Sequence, residues 1–330
     1  MKLIAETAWH HEGDMEFMRE LTRKIGESSA HILKVHLSLS LKEYMTPQHE
    51  AFSILNNLKL SEEQWFEILS DFRKNSNKDL MLLYNDCKAV DFGSKFEPEY
   101  VEIHGACLND VNLLKHLKTK LLRETKVVLG IGGSSLIEVE NAMSFFPDNQ
   151  IILMYGFQNF PTNYEDINLS KLRKIMKLYP NAEFGYADHT AYDNENNVLI
   201  TLLGAAVGMK YVEKHVTHSY GTKRTDYSAA ISFEMFEDIS NGLELLEKAN
   251  GNGKLDLNKG ELEYAKYKKA PVASKNLKKG HIMQLEDISF KRVREMKDLS
   301  MIQANSLVGK SLLVDLNLDD TLENSMFSSI

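Results

Sequence analysis

The chain has 330 residues, 47 acidic against 39 basic side chains for a net charge of −8, and a hydrophobic share of 43%. That length suits one large domain with a smaller one, and the negative balance argues against a general nucleic-acid binder. Cys87 and Cys107 are the two cysteines, spaced for neither a disulfide framework nor a zinc ribbon. No apolar run approaches the roughly 20 residues of a membrane span, so a cytoplasmic protein without membrane or nucleic-acid partners is expected.

The first strand reads over Leu3–Ala8 and runs through Trp9-His10-His11-Glu12-Gly13 into a helix from about Met15 to Ile25. His31–Leu37 is a second strand whose apolar run is interrupted by Lys34. A lysine inside a buried strand needs an anion or carboxylate to pair with, because an unpaired buried charge is costly. Ser61-Glu62-Glu63-Gln64 is a capping box that opens a helix reaching about Lys74. Strands follow at Leu80–Tyr84 and Tyr100–His104, with room for only one or two helical turns between them. Then come a helix at Asn109–Leu121, a strand at Val127–Ile131, a helix at Ser135–Phe146, a strand at Ile151–Gly156 and a helix at Leu169–Tyr179. Strands seven and eight are Glu183–Tyr186 and Tyr211–Lys214. Eight strands alternating with helices over about 250 residues predict an α/β fold, a TIM (β/α)8 barrel.

The glycine-rich Gly251-Asn252-Gly253-Lys254-Leu255-Asp256-Leu257 reads as a linker, and its acidic oxygens lack the spacing of a calcium loop. Short β runs occupy the rest. The expected organisation is a barrel over 1–250, a linker over 251–265 and a small β-rich domain over 266–330.

Two histidines stand out. His189 and His215 follow the ends of strands seven and eight, which a right-handed parallel crossover makes neighbours with the same end up. Neighbouring strands lie roughly 5 Å apart, so the imidazoles can reach one divalent metal; the alternative is two unrelated polar residues at strand ends. The stretch Gly130-Ile131-Gly132-Gly133-Ser134-Ser135 also has two readings, an anion nest of backbone N–H groups or a tight strand-to-helix turn with a serine cap.

Gly185-Tyr186-Ala187-Asp188-His189-Thr190, Val212-Glu213-Lys214-His215-Val216-Thr217 and the following Asp226-Tyr227-Ser228 resemble the signature of the sialic acid synthase family. The opening Ile4-Ala5-Glu6 with His11 and Gly13 is similar to the family's first motif, His10 standing where an asparagine is usual. Residues from about Lys266 onward resemble the small antifreeze-like (SAF) domain that ends these enzymes.

The resemblance implies condensation of an N-acylated, mannosamine-type hexosamine with phosphoenolpyruvate to a nonulosonic acid in the cytoplasm. It implies His189 and His215 as ligands of Mn2+ or Mg2+, and Glu6, Lys34 and Asp226 as catalytic groups, Lys34 meeting the three-carbon substrate. His11, Gln158, Asp188 and Arg292 are implied as substrate contacts, with Arg292 reaching a partner's sugar in a homodimer with exchanged C-terminal domains.

The phosphate-binding side departs from the family pattern. Glu102, Gly105 and Cys107 stand where the family has a lysine, a serine and an acid; Gly130 and Ala187 replace serines, and Gln158 an asparagine. Each missing charge-assisted hydrogen bond costs about 1.5–3 kcal/mol, so divergence in the second substrate is expected. The alternatives are a metal-dependent sugar aldolase or lyase that does not use phosphoenolpyruvate, and a catalytically silent sugar-binding paralogue.

Overall fold

The structure, a computed structural model, describes residues 1–328. Eight strands close a parallel barrel: β1 (Lys2–Glu6), β2 (Ile32–Leu37), β3 (Asp79–Tyr84), β4 (Tyr100–Ile103), β5 (Lys126–Gly130), β6 (Ile151–Gly156), β7 (Glu183–Ala187) and β8 (Tyr211–His215). Each pairs with the next, and β8 returns to β1 with Glu6 opposite His215. Strands buried on both faces need apolar residues at every position, which is why β3 reads as Leu-Met-Leu-Leu-Tyr after its first residue. Leu80, Leu82 and Tyr84 pack outward into the helix layer, whereas Met81 joins the apolar plug inside the barrel.

The helices start where the sequence supplies caps. The Asp14 carboxylate accepts the Phe17 N–H at the head of Met15–Glu27, and Ser61 with Gln64 forms the reciprocal box of Glu62–Asn75. That second helix buries Trp65, Ile68, Leu69 and Phe72 as one stripe. Between β3 and β4 stands a short helix, Cys87–Gly93. The first strand stops at Glu6, two residues short of the expected end, because the chain turns at Ala8, whose φ of 47° is left-handed.

The chain divides into Met1–Gly251 and Asn252–Ile330. Within the second unit β9 (Ala270–Ala273) and β10 (Ile288–Lys291) form an antiparallel pair over a core that includes Leu277, Met283, Leu312 and Phe327. The stretch read as a linker contains a helix, Lys259–Ala265, which Asn258 and Glu261 cap reciprocally. Glycine content hid that signal. Among the described residues no helix is long and apolar enough to cross a membrane.

Candidate active site

Side chains on a strand alternate between faces, so inward positions two apart climb the barrel in layers. The floor is apolar and includes Ile4, Ile32, Tyr100 and Tyr211. Two residues further along the same strands come Glu6, Lys34, Glu102 and Glu213, all buried. Two further still come His36, His104 and His215, and the three histidines line a cavity of about 590 Å³ at the carboxyl ends of the strands.

The charged layer is knit together. The Lys34 ammonium lies 2.8 Å from Glu102 Oε2, 2.9 Å from Glu213 Oε1 and 3.4 Å from Glu6 Oε2. Burial works against that ammonium, but Glu102, Glu213 and Glu6 raise its pKa above the usual lysine value. Glu6 Oε1 meets His36 Nε2 in a short contact, and its Oε2 lies 3.4 Å from His215 Nε2. Although burial pushes the Glu6 carboxyl up, the charges of Lys34, His215 and His36 hold it well below the ordinary range. Burial, with Glu6 close by, raises Glu213 well above it. Burial also raises Glu102.

Glu6, His189 and His215 offer ligand atoms that all lie within 4.8 Å of one another. The His189 Nδ1–H donates to Ala187 O at 3.1 Å, which leaves Nε2 free as a ligand, the usual second-sphere arrangement of metal-binding histidines. Burial, with His215 alongside, holds His189 well below its ordinary pKa and therefore neutral. His215 Nδ1 is buried without a hydrogen-bond partner. Two neutral-capable imidazoles and one carboxylate are a donor set suited to a divalent cation with water in its open positions, so the residues fit the ion. Phe157 and Phe160 wall this corner, their rings 4.9 Å and 5.9 Å from those of His189 and His215 respectively.

Asp226 lines the cavity in a left-handed conformation, its Oδ2 accepting the Trp9 N–H at 3.0 Å. Gln158 also lines it, and its Nε2 is buried without a partner. Three sequence-derived assignments need correction. Asp188 has the opposite strand parity to Ala187 and His189, so its carboxylate points behind the barrel wall. There it accepts from Lys214 Nζ and Thr201 Oγ1, both at 2.8 Å, and from Thr190 Oγ1 at 2.7 Å. His11 is wedged between the rings of Trp9 and Trp65, outside the cavity lining, and burial lowers its pKa to about 3. Lys34 is not a free cation awaiting a substrate, since three protein carboxylates already surround it. Arg292 is exposed, its guanidinium 5.1 Å from the centre of the Tyr267 ring within the second unit.

The sequence reading missed Glu213, His36, His104, Asn85 and Phe157 as members of the lining. For two of them a signal existed: Glu213 shares the parity of His215, and His36 that of Lys34, along the same strand.

The opposite face is made of backbone. A Cβ added to Gly105 would lie 2.8 Å from Gly132 O, one on Gly130 2.8 Å from Gly105 N, and one on Gly132 2.4 Å from Gly156 O. Ser135 caps the helix Leu136–Ser144 with Glu138, and its own N–H donates to the Glu138 carboxylate at 2.7 Å. Ser135 thus caps the helix, while among the described residues no hydrogen bond within the protein takes up the N–H groups of Gly132 and Gly133, which line the cavity. Burial raises the Cys107 thiol to about 12, so it is no nucleophile.

The model of the NeuB family matches residues 33–255. An uncharacterized protein of Methanocaldococcus jannaschii is 28% identical over 91% of this chain and 88% of its own length. A pseudaminic acid synthase of Campylobacter jejuni is 24% identical, covering 98% of this chain and 96% of the relative. Among solved structures, an N-acetylneuraminic acid (sialic acid) synthetase of Leptospira borgpetersenii superposes with a TM-score of 0.73 at 22% identity, over 80% of this chain and 90% of that one.

Proposed function

The chain belongs to the NeuB family, and from this we propose that it is a transferase of the sialic acid synthase type, joining an N-acylated hexosamine to a three-carbon acid to give a nonulosonic acid. The observation that carries the reading is the convergence of Glu6, His189 and His215 on the wall of a cavity large enough for a sugar.

What a divalent cation held by His189, His215 and Glu6 supplies is Lewis acidity toward an aldehyde oxygen of the open-chain sugar. One carboxylate and two imidazoles suit Mn2+ better than Mg2+, which prefers oxygen ligands. His36 and Lys34 hold Glu6 ionised and fixed in place. Asp226, anchored by the Trp9 N–H through one oxygen, keeps the other for a sugar hydroxyl. Phe157 and Phe160 cover the histidine corner and exclude water, which strengthens every electrostatic contact inside. Gln158 brings an unpartnered amide to the same lining as a donor to the sugar.

The second unit is read as an SAF-type domain, and the exposed Arg292 as the group that one protomer of a homodimer lends to its partner's sugar. Sedimentation as a monomer at micromolar concentration counts against that part.

The test of the metal site is equilibrium dialysis of Mn2+ against the intact chain and against His189→Ala and His215→Ala. Each variant should lose more than the about 10- to 100-fold that removal of a mere second-sphere partner costs. Undiminished binding in both removes the shared site and the reading built on it.

A further inference from the structure

We propose that Arg224 is the positioning residue of Asp226: it fastens the loop after β8 onto the turn after β1, and so fixes where that carboxylate meets the sugar. This rests on the reading of Asp226 as a sugar contact given above and concerns how this chain holds the contact.

Asp226 sits in a weak place for a group that must keep its geometry. Just ahead of it Tyr220, Gly221, Thr222 and Lys223 are all exposed, and ordering an exposed stretch costs conformational entropy. Asp226 itself has a φ of 61°, a conformation that non-glycine residues keep only where their surroundings enforce it. The turn it faces has the same character, with Ala8 at 47° and Glu12 at 48°. Three left-handed non-glycine residues therefore meet beside the cavity that Trp9 and Asp226 both line.

The turn supplies the fixed side. Its Thr7 N–H donates to Lys34 O at 3.0 Å, the Asp14 N–H donates to His11 O at 2.7 Å, and the His11 ring is wedged between Trp9 and Trp65. Three consecutive residues of the loop then grip it. Arg224 Nε donates to His10 O at 2.6 Å and Nη2 to His11 O at 3.2 Å, while the guanidinium lies 3.9 Å from the centre of the Phe17 ring. Thr225 donates its N–H and its hydroxyl to Glu12 Oε1 at 2.7 Å and 2.9 Å, and Glu12 Oε2 lies 3.7 Å from Arg224. Asp226 Oδ2 accepts the Trp9 N–H, and among the described residues no protein hydrogen bond reaches its Oδ1.

Arginine is the side chain that suits this task. A planar fork serves two adjacent carbonyls and stacks on an aromatic ring at once, which an ammonium cannot do. Among the described residues no backbone N–H donates to His10 O, so the guanidinium satisfies a carbonyl that the turn leaves open. Arg224 does not itself line the cavity, and its influence on a sugar has to pass through Asp226 and Trp9.

The test is calorimetric titration of the Mn2+-loaded full chain with N-acetylmannosamine, for the unmodified protein, Arg224→Ala, Asp226→Ala and the double variant. Arg224→Ala should weaken sugar binding by about tenfold or more, the worth of one hydrogen bond to a charged group, and leave Mn2+ affinity unchanged. The double variant should bind no more weakly than Asp226→Ala, because both changes remove one contact. Arg224→Lys, which keeps the charge but not the fork, should resemble Arg224→Ala. Hydrogen exchange reads the strap with no ligand present: in either Arg224 variant residues 7–13 and 224–230 should lose protection while β5 keeps it. Full sugar affinity in a folded Arg224 variant or in Asp226→Ala, additive losses in the double variant, or unchanged protection of both segments overturns the proposal. If the unmodified chain binds no N-acetylmannosamine, the sugar reading above falls, and the exchange measurement alone decides the strap.

Discussion

The two halves of the barrel mouth are built on different principles. On the side of β7, β8, β1 and β2 the working groups are side chains, and each is braced from behind. Asp188 and Lys214, sequence neighbours of His189 and His215, form a fully buried ion pair outside the barrel wall. Thr190, Thr201 and Tyr186 complete the hydrogen bonds of Asp188. Across the mouth, the ends of β4, β5 and β6 present glycine backbone, the Met154 thioether and phenyl rings beside His104 and the Gln158 amide, above Glu102 of the charged layer. There the surface is set by main-chain contact, with glycines at Gly105, Gly130, Gly132 and Gly156 that admit no Cβ without displacement. A polar site that must hold geometry needs a satisfied network beneath it.

The sharpest way to break this contrast is to remove the brace. Lys214→Met leaves Asp188 buried and unpaired and should cost about 3–5 kcal/mol of unfolding free energy, with Mn2+ affinity falling although no ligand is touched. Lys214→Met combined with Asp188→Leu should be milder than the single change, since no uncompensated charge remains. Denaturant unfolding and dialysis at matched fraction folded separate the two effects. An Mn2+ affinity unchanged in the folded single variant would show that the pair supports the fold but not the site.

The opposite half is probed by putting a side chain back. Gly130→Ser places a Cβ against the Gly105 N–H and should destabilise by about 1–3 kcal/mol through overpacking, without improving phosphoenolpyruvate binding. A gain in that binding at unchanged stability would mean that this face is malleable, not closed.

The smallest effect concerns protons. Burial, with the His36 and Lys34 charges, holds His104 down to about 4, below the about 6.5 of an unfolded histidine. Between those values the unfolded chain binds the extra proton, so stability is complete above about 6.5 and declines as pH falls toward 4. His104→Gln should flatten that part of the melting temperature against pH. A profile that keeps its full slope would assign the acid sensitivity to the other half, where burial lowers His10 to about 4 as well.

Local pattern was enough for the architecture. Strand-length apolar runs, caps such as Ser61-Gln64 and Ser135-Glu138, and the right-handed crossover rule gave eight strands in order and placed His189 and His215 side by side. Those features depend on contacts within a few residues or between adjacent strands, which sequence spacing encodes directly. Parity alone, applied along β7, would also have turned Asp188 outward. The partners of Lys34 were another matter. Glu102 and Glu213 come from β4 and β8, neither of them a hydrogen-bonded neighbour of β2, and which inward side chains meet across the barrel depends on the stagger and radius at which it closes. Closure turned the lysine from an anion receptor into the counter-ion of three buried carboxylates, and it brought Glu6 to the two histidines.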